Sequence, residues 1–221
     1  SLSNLATYYS DIGDYKKALE LSEKAYALRC KVLGEEHPDT LTSLSNLATY
    51  YSDIGDYKKA IELGEKAYAL SRKVLEEEHP NTLTMLSNLA ERYSNIGNYK
   101  KALELGEKAY ALSRKVLGEE HPDTLTMLSN LATGYSCAGN NKNALELSEK
   151  AYALSRKVHG EGHPDTMRLL FKLVESYSAV GDRRKAKELI KKAYTISRSV
   201  YGEQSERTII YRRLLEQFDS D

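Results

Sequence analysis

The chain has 221 residues with 32 basic and 32 acidic side chains, and 41% of its residues are hydrophobic. This balanced charge argues against a general nucleic-acid binder, which carries a basic excess on one face. No apolar run approaches the roughly 18–20 residues needed to cross a bilayer, so we predict a soluble protein that binds neither nucleic acid nor membrane.

One short motif recurs at a fixed interval along the chain. The motif His-Pro-Asp/Asn-Thr begins at His37, His79, His121 and His163, and each step is 42 residues long. A glycine follows the same interval, at Gly13, Gly55, Gly97, Gly139 and Gly181. A period of this length predicts stacked supersecondary units, each of which buries its apolar face only against its neighbours.

Each period predicts two helices. Pro38 suits the first position of a helix, because its missing N–H would have no helical partner there. Gly55 suits the left-handed turn that ends this helix, and Asp56 is a good N-cap for the next one. Ser1 aligns with Ser43, inside a first helix, so we expect a fragment of a longer array. With a last lone helix from about 205 to 218, about eleven helices are expected.

The packing positions of the first complete repeat carry a family resemblance. Their large, small and aromatic residues follow the tetratricopeptide spacing, at Leu44, Leu47, Ala48, Tyr51, Gly55, Tyr57, Ala60 and Ala67. The 42-residue period, the Leu-Gly-Glu-Glu-His-Pro-Asp-Thr linker and the Ser-Asn-Leu-Ala segment resemble the kinesin light chain subtype. This resemblance implies an all-α fold, a right-handed superhelical α-solenoid in which the first helix of each pair lines a concave groove.

We predict that the repeats form one array over residues 1–221 and not two domains. Its units are a partial repeat over 1–36, complete repeats over 37–78, 79–120, 121–162 and 163–204, and a C-terminal capping helix over 205–221. Cys30 and Cys137 lie more than two repeats apart, whereas a disulfide needs Cα atoms within about 7 Å. Reduced thiols predict a cytoplasmic location.

A series of asparagines is the main candidate for a binding site. Asn4, Asn46, Asn88 and Asn130 recur once per repeat, beside the apolar stripe, on the face that the family turns towards its groove. A carboxamide has one acceptor and two donors, so it can hold the backbone of an extended peptide. The neighbouring candidates are Ser45, Ser87, Ser129, Thr49, Glu91 and Thr133. The alternatives are that the asparagines hydrogen-bond adjacent helices, or repeat only because the units were duplicated recently.

The fifth repeat breaks this series with Lys172, near Arg168 and Phe171. A basic and aromatic end of the groove would suit an acidic or aromatic side chain of a ligand. The alternative is a capping repeat with solvated charges.

The remaining patterns indicate structure and not chemistry. No catalytic, phosphate-binding or metal-ligating constellation is present, so we predict no enzyme activity, no cofactor and no metal. The histidines are one per repeat, and His159 and His163 lack further ligands, which favours a loop or helix-start role. Recurring Glu and Lys residues predict exposed i, i+4 pairs: Glu20–Lys24, Glu62–Lys66, Glu104–Lys108 and Glu146–Lys150.

The sequence therefore favours a scaffold that recruits a partner protein by binding an extended peptide segment. Two alternatives stay open. One is a structural array that associates with itself through its ends. The other is the ligand-sensing repeat region of a larger multidomain signalling protein.

Overall fold

The computed structural model describes residues 1–220, and the side chains of residues 1–218. All regular elements in this part of the chain are α-helices, which confirms the all-α fold class. The eleven helices are α1 (Leu2–Asp11), α2 (Tyr15–Leu33), α3 (Pro38–Asp53), α4 (Tyr57–Leu75), α5 (Pro80–Asn95), α6 (Tyr99–Leu117), α7 (Pro122–Cys137), α8 (Asn141–His159), α9 (Pro164–Ala179), α10 (Arg183–Tyr201) and α11 (Glu206–Ser220).

Local hydrogen bonds explain where these helices begin and end. The imidazole Nδ1 of His37 accepts from the backbone N–H of Asp39 at 3.2 Å, and Pro38 follows as the first helical residue. Gly55 ends the turn after α3 with a φ of +83°, in the left-handed region that favours glycine. Asp56 then caps α4, accepting from the backbone N–H of Lys59 at 3.1 Å. The four histidines of the repeated motif thus have the helix-start role that the sequence predicted, whereas His159 is the last residue of α8.

The helices form two compact units, Ser1–Val116 and the residues from Leu117 onward. In the first unit, one buried cluster joins three successive helices through Leu41, Leu44, Ala67 and Met85. In the second unit, the largest fully buried side chains are Leu128, Met167, Leu170 and Ile190. In both units, small and large apolar residues alternate at helical spacing, so each hairpin packs on the next.

A buried pair of hydroxyls joins the second helix of one hairpin to the first helix of the next. The Oγ atoms of Ser71 and Thr82 lie 2.7 Å apart, and the same pair recurs at 2.9 Å as Ser155–Thr166 and as Ser197–Thr208. The first complete hairpin lacks this bond, because Arg29 occupies the position of the serine. The hydroxyl of Thr40 is consequently buried without a partner.

Arg29 forms a different set of contacts. Its guanidinium donates to the hydroxyl of Ser43 and, at 3.2 Å, to that of Ser3. The next repeat has Ser71 and Met85 at the places of Arg29 and Ser43. Both positions therefore change between these repeats: two polar residues that contact each other in one repeat are replaced by a small residue and an apolar residue in the next.

The i, i+4 pairs that the sequence predicted are mostly wrong. Glu20 and Lys24 do pair, at 2.5 Å. The lysines of the following repeats instead reach glutamates in the linker before their own repeat, as Lys66–Glu35, Lys108–Glu77 and Lys150–Glu119. Each linker carboxylate lies beside the second helix of the following hairpin, and Glu62 and Glu104 on these helices pair with Lys59 and Lys101 instead.

Candidate functional site

The four asparagines differ in exposure and in hydrogen bonding. Asn4 and Asn46 are exposed, whereas Asn88 and Asn130 are half-buried. Asn4 accepts from the hydroxyl of Ser1 at 3.1 Å, and Asn130 also has a polar partner. Among the described residues, the side chains of Asn46 and Asn88 have no hydrogen-bond partner. They lie on α3 and α5, which contact each other in the first unit.

The three candidate serines lie deeper than the asparagines. Ser45, Ser87 and Ser129 are all buried. The backbone carbonyl of Ser45 accepts from the hydroxyl of Thr49 at 3.3 Å, and that of Ser129 accepts from Thr133 at 3.2 Å. These serines therefore present little surface to a ligand, whereas the threonines beside them are exposed.

A pocket of about 390 Å³ opens between α3 and α5 in the first unit. Its wall is entirely polar or aromatic: Thr49, Ser52, Asp53, Tyr57, Asn88, Glu91, Arg92 and Asn95. Three of the sequence-predicted residues, Thr49, Asn88 and Glu91, thus meet at one place.

Arg92 is the most deeply buried charged group of this pocket, with 4% of its surface exposed. Its Nη2 donates to the carbonyl of Ser45 and to the hydroxyl of Thr49, both at 3.0 Å, whereas its Nε is buried without a partner. Burial lowers the pKa of Arg92 to about 10, so the guanidinium stays charged at neutral pH. Gly64 on α4 makes room for it, since a Cβ there would lie 3.3 Å from Nη1 of Arg92.

Two carboxylates stand beside this guanidinium. Glu91 and Asp53 both favour the charged form of Arg92 through space. Desolvation raises the pKa of Asp53, and the nearby Arg92 opposes this shift in part. In the described part of the chain, neither carboxylate forms an ion pair within 4 Å. The pocket therefore holds charges of both signs that do not neutralise each other by direct contact.

The second unit has smaller pockets. One of about 60 Å³ is lined by Ser129, Thr133 and Lys172, among others, and Lys172 pairs with Glu175 on its own helix at 3.3 Å. Arg168 lines a separate pocket of about 30 Å³ and lies 3.9 Å from Asp165. The ring of Phe171 is 6.5 Å from that of Tyr211, centroid to centroid. Both basic candidates are thus near carboxylates of α9.

Asp53 and Arg92 belong to the pocket but were absent from the sequence-predicted site. The sequence does not distinguish a buried arginine from an exposed one, so neither the composition nor the helical period predicted that Arg92 is buried. A signal did exist, because Glu91-Arg92 replaces Thr49-Tyr50 in repeats that are otherwise nearly identical.

No group of three or more His, Cys, Asp or Glu side chains among the described residues is placed to hold a metal ion. None of the described helices combines the length and the apolar character that crossing a bilayer requires.

Helical hairpins with a 42-residue period, capped in the same way and linked in several repeats by a buried hydroxyl pair, define a helical-repeat protein of the α-solenoid class. The tetratricopeptide repeat family model matches residues 1–73, 54–115, 82–153 and 123–199. The chain therefore belongs to the tetratricopeptide repeat family. Among curated proteins, none matches this chain.

Solved structures with this fold include a kinesin light chain-like protein of Podosopora anserina with nearly identical TPR-like repeats. It is 34% identical, with a TM-score of 0.75, over 90% of this chain and 94% of that one. BtubC (BKLC) from P. vanneervenii is 25% identical, with a TM-score of 0.74, over 93% of this chain and 82% of that one. A Rap protein complexed with Competence and Sporulation Factor is 15% identical, with a TM-score of 0.75, over 99% of this chain and 64% of that one, and shows the fold alone. The first of these similarities confirms the subtype that the linker predicted.

Proposed function

We propose that this chain is a non-enzymatic interaction scaffold, and that it binds an extended peptide segment of a partner protein along the first helices of its hairpins. The observation that carries this proposal is the state of Asn46 and Asn88. Both carboxamides lie on neighbouring first helices, and within the described residues neither is used for an internal hydrogen bond. An extended peptide offers a backbone N–H and C=O at each residue, which match the acceptor and donors of a carboxamide.

The surroundings of these two residues support the same proposal. The pocket beside Asn88 is polar and large enough for one side chain of a bound peptide. Thr49, which follows Asn46 on α3, is exposed and lines the same pocket as Asn88. In the second unit, half-buried Asn130 and Lys172 offer polar groups at the equivalent positions.

The test is binding to an array of diverse extended peptides. Wild type is compared with Asn46→Ala/Asn88→Ala/Asn130→Ala and with a control, Lys58→Ala/Lys100→Ala/Lys142→Ala, whose residues are exposed and also recur once per repeat. We expect wild type and the lysine variant to select the same peptides and the asparagine variant to lose them, with unchanged far-UV circular dichroism for all three. Equal binding by all three proteins, or none by the wild type, would contradict the proposal.

A second candidate function, self-association, is favoured by one observation. The first hairpin exposes several large apolar side chains, including Leu5 at 43%, Leu28 at 54% and Val32 at 69%. Exposed apolar patches of this kind mark interaction surfaces. Sedimentation velocity over a hundredfold range of protein concentration tests this function. An assembly role is supported if the mass of the wild type rises with concentration and the mass of Leu28→Asp/Val32→Asp does not.

We further propose a cytoplasmic location. Both cysteines are free thiols, half-buried Cys30 and exposed Cys137, as expected in a reducing compartment. Fractionation of the source cells tests this, and recovery of the chain from an oxidising compartment would refute it.

A further inference from the structure

The pocket between α3 and α5 coincides with the places where two repeats diverge. Residues 37–78 and 79–120 differ at eight of 42 positions. Three of those positions supply five of the eight residues that line the pocket, namely Thr49, Asp53, Glu91, Arg92 and Asn95. Random divergence has no reason to concentrate on the wall of one pocket, so these side chains point to a ligand that contacts them.

The pocket also holds polar groups without partners, in contrast to the outer surface. Glu35 and Glu77 in the linkers are paired with lysines, whereas Asp53 and Glu91 have no ion pair among the described residues. The Nε of Arg92, buried in the same wall, donates to nothing. A buried guanidinium whose donors are only partly satisfied gains when a ligand in the pocket supplies a further acceptor.

These groups discriminate between the side chains that a peptide could insert. A lysine or arginine would satisfy the carboxylates, but would bring a second cation close to the buried guanidinium of Arg92. A carboxylate would meet Asp53 and Glu91, and an apolar group would desolvate charges without pairing them. A primary carboxamide offers both functions, because its N–H groups can donate to the carboxylates while its oxygen accepts from the guanidinium.

We propose that this pocket takes the carboxamide of a glutamine or asparagine in the bound peptide, with Asp53 and Glu91 as acceptors and Arg92 as the donor. The inference rests on the proposed peptide-binding function and specifies one residue of the partner. It also assigns Arg92 a role in selectivity, beyond the packing that its hydrogen bonds to α3 provide.

The experiment uses a positional peptide library with each of the twenty amino acids fixed in turn at every position. Its targets are wild type, Asp53→Asn/Glu91→Thr, and the control Asp39→Asn. All three substitutions install a residue that another repeat carries at the same place, and Asp39 lies at the start of α3, outside the pocket. We expect wild type and the control to prefer glutamine or asparagine at one position. The pocket variant should bind such a peptide about tenfold more weakly, with no change for the same peptide carrying alanine there.

Two results would overturn the inference while leaving the proposed function intact. One is selection of lysine or arginine at that position, and the other is a carboxamide preference that the pocket variant keeps. If the library does not bind to wild type at all, the proposed function fails and this inference fails with it.

Discussion

Removing the hydroxyl of Thr40 should stabilise the protein, although threonine is the residue found there in every complete repeat. Thr40 has no exposed surface, and its hydroxyl has no partner because Arg29 replaces the serine of other repeats. An unsatisfied buried polar group costs about 1–3 kcal/mol, and valine keeps the shape and the β-branch while removing that group. We expect Thr40→Val to raise the free energy of unfolding by about 1 kcal/mol, near the lower end of that range.

The same substitution at Thr82 should have the opposite sign. Thr82 is equally buried, but its hydroxyl lies 2.7 Å from that of Ser71. Thr82→Val removes a hydrogen bond and leaves the hydroxyl of Ser71 buried and unpaired, so we expect a loss of about 1–3 kcal/mol. Thr166→Val tests the argument in the second unit, where Ser155 would be left unpaired.

Urea denaturation at 25 °C, followed by far-UV circular dichroism, measures both effects. Because long repeat arrays can depart from two-state unfolding, the comparison uses transition midpoints of variants that share the wild-type slope. A Thr40→Val protein that is destabilised as much as Thr82→Val would refute the reasoning, since it would mean that the Thr40 hydroxyl has a partner.

Two further predictions concern a tyrosine and a glycine. The hydrogen bond from the hydroxyl of Tyr51 to Glu23 raises the pKa of Tyr51 to about 12. Since the ordinary value of about 10 applies to the unfolded chain, the stabilisation is fully present below pH 10 and is lost between pH 10 and 12. Urea midpoints should therefore fall less steeply over that range in Tyr51→Phe than in wild type, and parallel curves would contradict this. Gly64→Ala should destabilise wild type, because the new Cβ lies 3.3 Å from both Arg92 and Leu89. In an Arg92→Gly background only the contact with Leu89 remains, so the same change should destabilise less, and thermal melts that show an equal loss in both backgrounds would refute the clash with Arg92.

Much of the fold follows from the sequence because its signals are local and repeated. Proline after histidine, glycine at the turn and aspartate as N-cap each depend on a few neighbouring residues, and the 42-residue period repeats the same evidence. The exposure of Asn46 followed from its position beside the apolar stripe. None of these inferences depends on which residues of neighbouring hairpins contact each other.

The features that the sequence did not predict depend on contacts between hairpins. The partner of Lys66 depends on where the Glu35 linker lies in space, which spacing along α4 does not reveal. The burial of Ser45 depends on a neighbouring hairpin. Arg92 lies in the wall of a pocket only because Gly64, 28 residues earlier, leaves space for it. Contacts between hairpins thus determine the details of the site, and the repeat period of the sequence does not predict those contacts.

The pairing of Arg29 with Ser43 also determines how the number of repeats can change. Deletion of residues 43–84 would shorten the array by one unit but place Met85 where Ser43 stands, opposite Arg29, so the guanidinium would lose a hydrogen-bond acceptor. Deletion of residues 85–126 would instead keep a methionine at that position but remove Arg92, whose hydrogen bonds to Ser45 and Thr49 would be lost. Unequal recombination between the nearly identical repeats should therefore have different structural consequences along the chain, because Ser43 and Arg92, at two positions where the repeats differ, contact the neighbouring hairpin.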